Sequence, residues 1–270
     1  MSEFQTILVV GCGNMAGAML SGWVTGGAAP ESFTVVNPSP RDLPVGTAQL
    51  RDLPESGAFD AILLGIKPQK LADVAPGLER LVGPQTVLLS LLAGVELATL
   101  AGHFPRAAAL LRVMPNLAVA LGKSPIALAA SGLNAATRQA VDAQMDPLGT
   151  AEWLDDEAQM DLVTALAGSG PAFVYRFIDA LAQGAGELGL PGEQAERLAL
   201  AMVEGAAALA AASEHSPGEL ARRVASPGGV TQAGLDMLDR DRALGELVEK
   251  TLRAARDRSV EMAAQARRKG

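Results

Sequence analysis

The stretch Ile7–Leu20, "ILVVGCGNMAGAML", decides the fold of the first half of this chain. It reads as a buried β-strand, a glycine-rich turn and the start of an α-helix. Its G-x-G-x-x-A spacing places Gly11 at the tight turn, Gly13 where a bound group approaches the backbone, and Ala16 where helix and strand pack closely. The free amides at the start of such a helix attract phosphate. The stretch therefore predicts a dinucleotide site, with a plain strand-to-helix turn as the alternative.

Short apolar runs continue after this stretch and alternate with helical patterns. Strands of a parallel sheet are buried on both faces, so they read as continuous apolar segments. The alternation predicts an α/β fold, a doubly wound Rossmann domain over residues 1–154. The apolar runs are Thr6–Gly11, Phe33–Asn37, Ala61–Ile66 and Thr86–Leu92, with two further candidates at Ala108–Asn116 and Pro125–Ala130, and helical patterns include Ala16–Thr25 and Gln69–Leu81.

The pattern changes after Trp153, where the chain becomes rich in alanine and helical in period. This predicts a second, all-helical domain over residues 155–270. So many small residues let helix backbones approach closely, which favours a dimerisation domain completed by another subunit. The segment "PAFVYRFIDALAQGAGEL" places one apolar face on a helix, made of Phe173, Phe177, Leu181, Ala185 and Leu188.

Composition excludes several functional classes. The formal net charge is −8, which argues against nucleic acid as a partner because phosphate binding needs a basic surface. One cysteine and two histidines make a His/Cys zinc site improbable, and we expect no metal. No apolar run reaches the roughly 18 residues of a membrane span, and the first residues do not resemble a signal peptide. We expect a soluble, cytoplasmic protein.

The end of the second predicted strand indicates which nicotinamide cofactor is used. An NAD site usually has an acidic residue there, whereas this chain has Asn37, Ser39 and Arg41, with no carboxylate before Asp42. A hydroxyl and a guanidinium suit a 2′-phosphate. The segment predicts NADPH, with NADH as the second candidate; the alternative is that Arg41 is an ordinary surface residue. Cys12, inside the glycine loop, is expected to be structural rather than redox-active.

A glycine pair interrupts the helical half in "RRVASPGGVTQAGLDML", Arg222–Leu238. One interpretation is a turn between helices, with Thr231 as the N-cap of the second helix. The other is a binding loop. The residues alone leave both interpretations open.

Several segments together resemble the pyrroline-5-carboxylate reductase family over nearly the whole chain. They are "GCGNMAGAM", "GIKP", "LLAGV", "RVMPN", "ALAGSGPAFVYRFIDAL" and "VASPGGVTQAGLDML", and the last two are the most specific. The resemblance implies reduction of the cyclic imine 1-pyrroline-5-carboxylate to L-proline with NADPH or NADH. It also implies a helical domain that interlocks with a second copy in a homodimer, and in some members a ring of dimers.

The resemblance assigns roles residue by residue. Around the cofactor it places Gly11, Cys12, Gly13, Asn14 and Met15 at the pyrophosphate, Ser39 and Arg41 at the ribose phosphate, and Ile66, Lys67, Pro68 and Ala93 along the cofactor's edge. At the substrate it places Glu157 near the nitrogen side and Gly228, Gly229, Val230 and Thr231 in the binding loop. There, consecutive amides can form a nest for the substrate carboxylate. Thr231 is the candidate catalytic residue, through a hydrogen bond to the imine nitrogen. Asp52 and Arg223 depart from residues common in the family.

Four other functions remain as alternatives, the first of which is reduction of another imine, such as a six-membered cyclic imine. A β-hydroxyacid reductase of related architecture usually needs a lysine in its helical domain, and residues 156–243 contain none. A non-catalytic nucleotide sensor would bind NADPH without imine-dependent oxidation. A methyltransferase could use the same glycine spacing but would need an acid after the second strand.

Overall fold

The chain divides into two compact units in the computed structural model, which describes residues 4–267 and side chains as far as residue 264. Unit 1 extends to Gly168 and takes up the chain again from Ala255, and unit 2 is Ser169–Ala254. This division lies later than the predicted boundary between residues 154 and 155. The reason is local packing: Met160 is buried in a core of unit 1, and Asn116 Nδ2 donates to the carbonyl of Ala167 at 3.0 Å.

Unit 1 is built on one eight-stranded sheet, in the order β3-β2-β1-β4-β5-β6-β7-β8. All neighbouring strands are parallel except β6 and β7. The predicted Rossmann domain is thereby confirmed. The strands are β1 Ile7–Val10, β2 Phe33–Val36, β3 Ala48–Leu50, β4 Ala61–Leu64, β5 Val87–Ser90, β6 Ala109–Met114, β7 Ser124–Ser131 and β8 Gly149–Trp153.

Helices cover both faces of this sheet and divide its core in two. On one side Met19 and Trp23 of α1 pack on the sheet, and the Trp23 ring stacks on Phe33 with centroids 5.5 Å apart. On the other side Leu78 of α2 and Leu100 of α3 fill the second core. The helices of unit 1 are α1 Asn14–Thr25, α2 Leu71–Glu79, α3 Leu97–His103, α4 Ala135–Met145 and α5 Met160–Val163, which continues as a π-helical turn over Thr164–Gly168.

Three features of the sheet differ from the expectation. β7 runs antiparallel to β6 because a short link, the 3₁₀ turn Leu117–Leu121, joins them, whereas a parallel connection needs a longer crossover. The edge strand β3 is exposed at all three residues and therefore has no apolar signal. The edge strand β8 alternates between half-buried and exposed residues and was also not predicted.

Unit 2 is helical, as predicted. Its helices α6 and α7 pack through small side chains, with Ala182, Ala195 and Ala199 buried between them. These methyl groups allow the close approach that the alanine content indicates. The helices are α6 Gly170–Glu187, α7 Gly192–Ala211, α8 Pro217–Val224, α9 Val230–Asp239 and α10 Ala243–Arg267, the end of which belongs to unit 1.

The apolar residues that the sequence pattern places on one face of α6 differ in exposure, and Leu188 is the C-cap residue just after the helix. Leu181 and Ala185 pack toward the alanine cluster, but Phe177 is 45% exposed and Leu188 is 91% exposed. Phe177 and Leu188 are thus large apolar side chains at the surface of a single chain. Large apolar side chains are exposed throughout unit 2, including Val174, Tyr175, Leu198, Leu200, Met202, Leu209, Leu247 and Val248. None of the helices, so far as the residues are described, is long and apolar enough to cross a membrane.

Candidate active site

The glycine loop after β1 requires its glycines for two different reasons. Gly11 has φ +84°, and a Cβ there would lie 2.7 Å from Ile66 Cγ2 and 2.8 Å from the Ile66 nitrogen. Its amide donates to the carbonyl of Val36 at 2.9 Å. At Gly13, by contrast, a Cβ would have no atom within 4 Å in the described part of the chain. Gly11 is thus required by the protein's own packing, whereas the bare backbone of Gly13 faces space that a ligand can fill.

A third glycine, Gly65 at the end of β4, belongs to the same junction and was not identified from the sequence. A Cβ on Gly65 would lie 2.3 Å from the Gly11 carbonyl oxygen and 2.8 Å from the Ala16 Cβ. The Gly65 amide donates to the carbonyl of Val10 at 2.8 Å. The loop after β1, the end of β4 and α1 therefore meet at van der Waals distance. "GIKP" contains this glycine, but its spacing carries no signal for the contact.

The start of α1 has the properties of a pyrophosphate site. Gly13 is the N-cap, and within the described residues no side chain caps the helix. The first turn, Asn14 to Gly17, contains no acidic residue. The first amides of a helix have no partner within it, and the helix dipole favours an anion there. Together with the space beside Gly13, these amides suit a dinucleotide; the contacts expected of Asn14 and Met15 stay predictions.

The turn after β2 is held against the glycine loop by Asn37. This residue is 8% exposed; its Oδ1 accepts from the Cys12 amide at 3.1 Å, and its Nδ2 donates to the Ser39 carbonyl at 2.7 Å. Gln49 of β3 also binds the Ser39 carbonyl, at 3.2 Å. Ser39 and Arg41 follow in exposed positions. Asn37 thus stands where an acidic residue is usual. The turn that it holds carries the hydroxyl of Ser39 and the guanidinium of Arg41 beyond the strand.

Cys12 lies inside the loop but is almost completely buried, at 3% exposed. Burial raises the pKa of its thiol above the ordinary value of 9.0, and the positive charge of Arg41 opposes this in part. The thiol is therefore protonated at neutral pH. A buried, protonated thiol fits the structural role expected for Cys12.

The loops after β4 and β5 reach the same edge of the sheet as the glycine loop. β1 is flanked by β2 and β4, so the strand order reverses there, and ligands of such sheets bind beyond the carboxyl ends of the strands at that point. Ile66 is half-buried, Lys67 is exposed, and Pro68 opens a 3₁₀ turn, Pro68–Lys70. Ala93 is exposed in the loop after β5. The topology thus brings these four predicted residues to the ligand-binding edge.

The carboxylate of Glu157 accepts hydrogen bonds from two other residues of unit 1. Its Oε1 accepts from Arg112 NH1 at 2.8 Å and from the Leu97 amide at 2.9 Å. Arg112 lies in β6 with its side chain 9% exposed, and the Glu157 side chain is 28% exposed. The expected contact of Glu157 with substrate nitrogen stays a prediction, and this geometry favours a different role. The sequence held one indication of this ion pair: Arg112 stands inside the apolar run "ALLRVM", where a buried charge needs a partner.

The glycine pair of unit 2 forms a tight turn between α8 and α9. Gly228 has φ +69°, where glycine is favoured, and the Gly229 amide donates to the Ser226 carbonyl at 2.9 Å. A Cβ on Gly229 would lie 2.4 Å from Ser226 Oγ. Both glycines are therefore required by the turn. The Gly229 amide is already used inside the turn. The amides that an anion could bind therefore begin at Val230, so the nest expected for the substrate carboxylate has fewer amides than the four residues Gly228–Thr231 would supply.

Thr231 is not the N-cap of α9. Gly229 occupies that position, and among the described residues no side chain caps the helix. Thr231 is the second residue of the helix and is exposed. The first turn contains no acidic residue, so the positive end of the helix dipole is not neutralised locally. The interpretation of Thr231 as a capping residue is thus wrong, and its hydroxyl is available beside the free amides.

The end of α8 is organised by one carboxylate. Glu219 accepts from Arg222 NH2 at 2.6 Å and from Arg223 Nε at 3.1 Å. These hydrogen bonds, with the charge of Arg222, lower the pKa of Glu219. Arg223, one of the departures from the family pattern, is therefore held by its own helix. In the described part of the chain no three His, Cys, Asp or Glu side chains are grouped to hold a metal ion.

Two protein-family models match the chain, one in its first half and one in its second half. Residues 157–262 match the model described as pyrroline-5-carboxylate reductase dimerisation. Residues 6–94 match the model described as NADP oxidoreductase, coenzyme F420-dependent. The first match includes the loop around Thr231, and the second includes the glycine loop and the residues after β2.

Individual relatives extend over nearly the whole chain. The pyrroline-5-carboxylate reductase of Pseudomonas aeruginosa is 34% identical over 96% of this chain and 97% of its own length. The structure of the Coxiella burnetii enzyme of that name has a TM-score of 0.85 at 28% identity and covers 95% of this chain and 98% of its own. The Plasmodium falciparum pyrroline carboxylate reductase, solved with NADP bound, has a TM-score of 0.80 at 22% identity and covers 96% and 98%. This chain belongs to the pyrroline-5-carboxylate reductase family.

Proposed function

We propose that this protein reduces 1-pyrroline-5-carboxylate to L-proline with NADPH, and that NADH serves as the alternative donor. The observation that carries the proposal is the combination of two sites on one chain. Unit 1 has an uncapped, glycine-lined helix start suited to a dinucleotide, and unit 2 has a second uncapped helix start next to a free hydroxyl. Family membership at 34% identity over almost the full length supports the same reaction.

Unit 1 holds the cofactor in this proposal. The amides after Gly13 bind the pyrophosphate, with Gly11, Cys12, Asn14 and Met15 shaping the loop. Ser39 and Arg41 bind the ribose phosphate, while Ile66, Lys67, Pro68 and Ala93 border the remainder. The bound nicotinamide supplies a hydride for the substrate's imine carbon. The chain's contribution is position and electrostatics, since no His or Lys general acid stands in a motif of unit 2.

Unit 2 holds the substrate. The amides of Val230 and Thr231, with the dipole of α9, bind the carboxylate, and the turn of Gly228 and Gly229 sets their direction. The hydroxyl of Thr231 hydrogen-bonds the ring nitrogen. A cyclic imine is basic enough to bind as the iminium, which already carries the proton needed on nitrogen. A hydroxyl that orients the ring is then sufficient, and a strong acid is not required.

The test is a mixture of protein, NADPH and 1-pyrroline-5-carboxylate followed by absorbance of the reduced nicotinamide. The proposal predicts loss of absorbance that depends on the imine and yields an equal amount of L-proline. Binding of NADPH with no imine-dependent oxidation would instead support the sensor alternative. Oxidation of NADPH with the carbonyl partner of a β-hydroxyacid (a β-oxoacid or semialdehyde) in place of the imine would support the related dehydrogenases.

Cofactor preference is tested by Arg41→Ala. We expect the Kd for NADPH to rise by about 10-fold to 100-fold, because a charge-assisted hydrogen bond is worth about 1.5–3 kcal/mol, while the Kd for NADH stays nearly constant. Arg41→Lys keeps the charge but loses the planar fork, so it should fall between the two. Binding titrations of both cofactors give the ratio. An unchanged NADPH/NADH ratio in Arg41→Ala would contradict the assignment of this residue.

We also propose a homodimer, in which a second copy covers the apolar side chains exposed on unit 2, or a ring of such dimers. Interfaces are enriched in aromatic residues and methionine, and Tyr175, Phe177 and Met202 are of this kind. We place the enzyme in the cytoplasm, where a buried free thiol such as Cys12 stays reduced.

A further inference from the structure

The loop after β5 is the part of the ligand-binding edge that the glycine motif does not explain. It runs from Leu91 to Glu96 and contains Ala93. Its start is fixed by the Leu91 amide, which donates to the Leu64 carbonyl at the end of β4 at 3.0 Å. Gly94 within it has φ +74°, and a Cβ there would lie 2.7 Å from Ala263 Cα of α10. The loop is thus tied to the neighbouring strand and packed against another helix.

The far end of the loop is held by the carboxylate of Glu157. The Leu97 amide, the first of α3, donates to Glu157 Oε1 at 2.9 Å. The same oxygen accepts from Arg112 NH1 at 2.8 Å. Because Arg112 belongs to β6, which pairs with β5, the loop end is connected to the rigid sheet by a chain of two hydrogen bonds.

The ion pair of Arg112 and Glu157 is partly buried, with side chains 9% and 28% exposed, so lost hydration offsets much of its attraction. Replacing such a pair with apolar residues of similar volume is often neutral or stabilising, because two charges lose their hydration. The Arg112 side chain is 9% exposed, so its desolvation is nearly complete. What the pair supplies that apolar packing cannot is a directed acceptor for the Leu97 amide, beside a loop at the ligand-binding edge.

We propose that Glu157 and Arg112 act as a positioning pair: Arg112 orients the Glu157 carboxylate, which fixes the loop Leu91–Glu96 against the cofactor. Neither side chain needs to touch the cofactor or the substrate. This inference rests on the proposed function in one respect, that the loop borders NADPH. It gives Glu157 a role through the loop in place of the contact with substrate nitrogen expected from the sequence.

The decisive experiment compares Glu157→Ala with Glu157→Gln in the full-length protein. In Glu157→Ala we expect the Kd for NADPH to rise, and kcat/KM to fall, by on the order of 10-fold to 100-fold through misplacement of the loop. Hydrogen exchange in the segment 91–97 should become faster in the absence of cofactor. Glu157→Gln keeps an oxygen acceptor for the Leu97 amide, so it should recover most of both losses.

A matched control separates positioning from loss of stability. Asp142→Ala removes the carboxylate that accepts from Trp153 Nε1 at 2.7 Å, at the far edge of the sheet, and should lower Tm without changing the Kd. Arg112→Met and the double variant with Glu157→Ala complete a cycle. If the residues act as one unit, the double variant binds NADPH no more weakly than the worse single variant.

Three results would overturn the proposal: unchanged exchange and Kd in Glu157→Ala, a Gln variant as impaired as the Ala variant, or an Asp142→Ala variant with the same rise in Kd. If the wild-type protein binds NADPH but does not reduce the imine, the proposed function fails. Hydrogen exchange in the segment 91–97 and the Kd for NADPH would still decide whether Glu157 and Arg112 position the loop. A wild-type protein that does not bind NADPH would overturn both.

Discussion

At the residue scale, we propose that the reaction depends on the hydroxyl of Thr231. Thr231 is exposed in the first turn of α9, and Gly229 rather than Thr231 caps that helix. We expect Thr231→Ala to lower kcat by about 10²-fold while Tm and NADPH affinity stay at the wild-type level, because alanine is favourable in a helix and the cofactor is held by unit 1. Steady-state kinetics, a thermal melt and an NADPH titration measure these quantities.

The matching variant is Thr231→Ser, which keeps a hydroxyl and should regain most of the activity. If Thr231→Ala had wild-type kcat/KM, the hydroxyl would have no part in the reaction. If the Ala and Ser variants were equally slow, the methyl group rather than the hydroxyl would matter.

Individual site residues differ in how far the sequence could predict them. Gly11 and Gly13 follow from a local motif, since a strand, a turn and a helix are adjacent in sequence. Gly65 and the pair of Arg112 with Glu157 do not, because their contacts join residues 45 or more positions apart or depend on a close backbone approach. The capping interpretation of Thr231 was wrong because Gly229 occupies the N-cap position of α9, although glycine has no side chain with which to cap the helix.

At the scale of elements, Gly65 and Gly13 lie at the junction of β1, β4 and α1, and we expect replacement by alanine to affect stability differently at the two positions. Gly65→Ala places a Cβ 2.3 Å from the Gly11 oxygen, so we expect a loss of about 1–3 kcal/mol in the free energy of unfolding. Gly13→Ala meets no atom within 4 Å among the described residues, so its loss should be smaller, about 0.5–1 kcal/mol, which is the cost of alanine in place of glycine at the N-cap of α1. Chemical denaturation measures both.

Cofactor binding should separate the same two variants. In the proposed complex the pyrophosphate lies beside Gly13, so the Kd of Gly13→Ala for NADPH should rise by about tenfold or more, or about 1.4 kcal/mol. Wild-type affinity in Gly13→Ala would mean that the dinucleotide does not approach this backbone. A Gly13→Ala protein as unstable as Gly65→Ala would contradict the packing described for the junction.

Elements with a strong apolar pattern were predictable, and those without it were not. The buried strands β1, β2, β4 and β5 lie within the predicted runs, since both faces of each are covered. The edge strands β3 and β8 are exposed on at least one face and leave no such run. The direction of β7 depends on the length of its connection to β6 rather than on its own residues.

At the scale of the whole molecule, the apolar surface of unit 2 predicts the assembly. Phe177 of α6 is 45% exposed in one chain although it is large and aromatic. We expect Phe177→Asp to weaken self-association by about 2 kcal/mol or more, as loss of a central aromatic residue does at many interfaces. Light scattering after size-exclusion chromatography, over a range of concentrations, measures the mass.

The control is Val45→Asp, a change at a side chain that is 96% exposed in unit 1 and should leave the mass unaffected. A wild-type protein that is monomeric at all concentrations would contradict the proposed dimer. Equal masses for Phe177→Asp and wild type would place the interface elsewhere on unit 2. A mass above that of a dimer would identify the ring.

In the proposed reaction a hydride passes from the nicotinamide to the imine carbon of 1-pyrroline-5-carboxylate. The most direct measurement uses NADPH that carries deuterium at the transferred position, followed by mass spectrometry of the product. We expect L-proline with one deuterium at the former imine carbon, in equal amount to the oxidised cofactor. Proline without deuterium, or oxidised cofactor without proline, would contradict it.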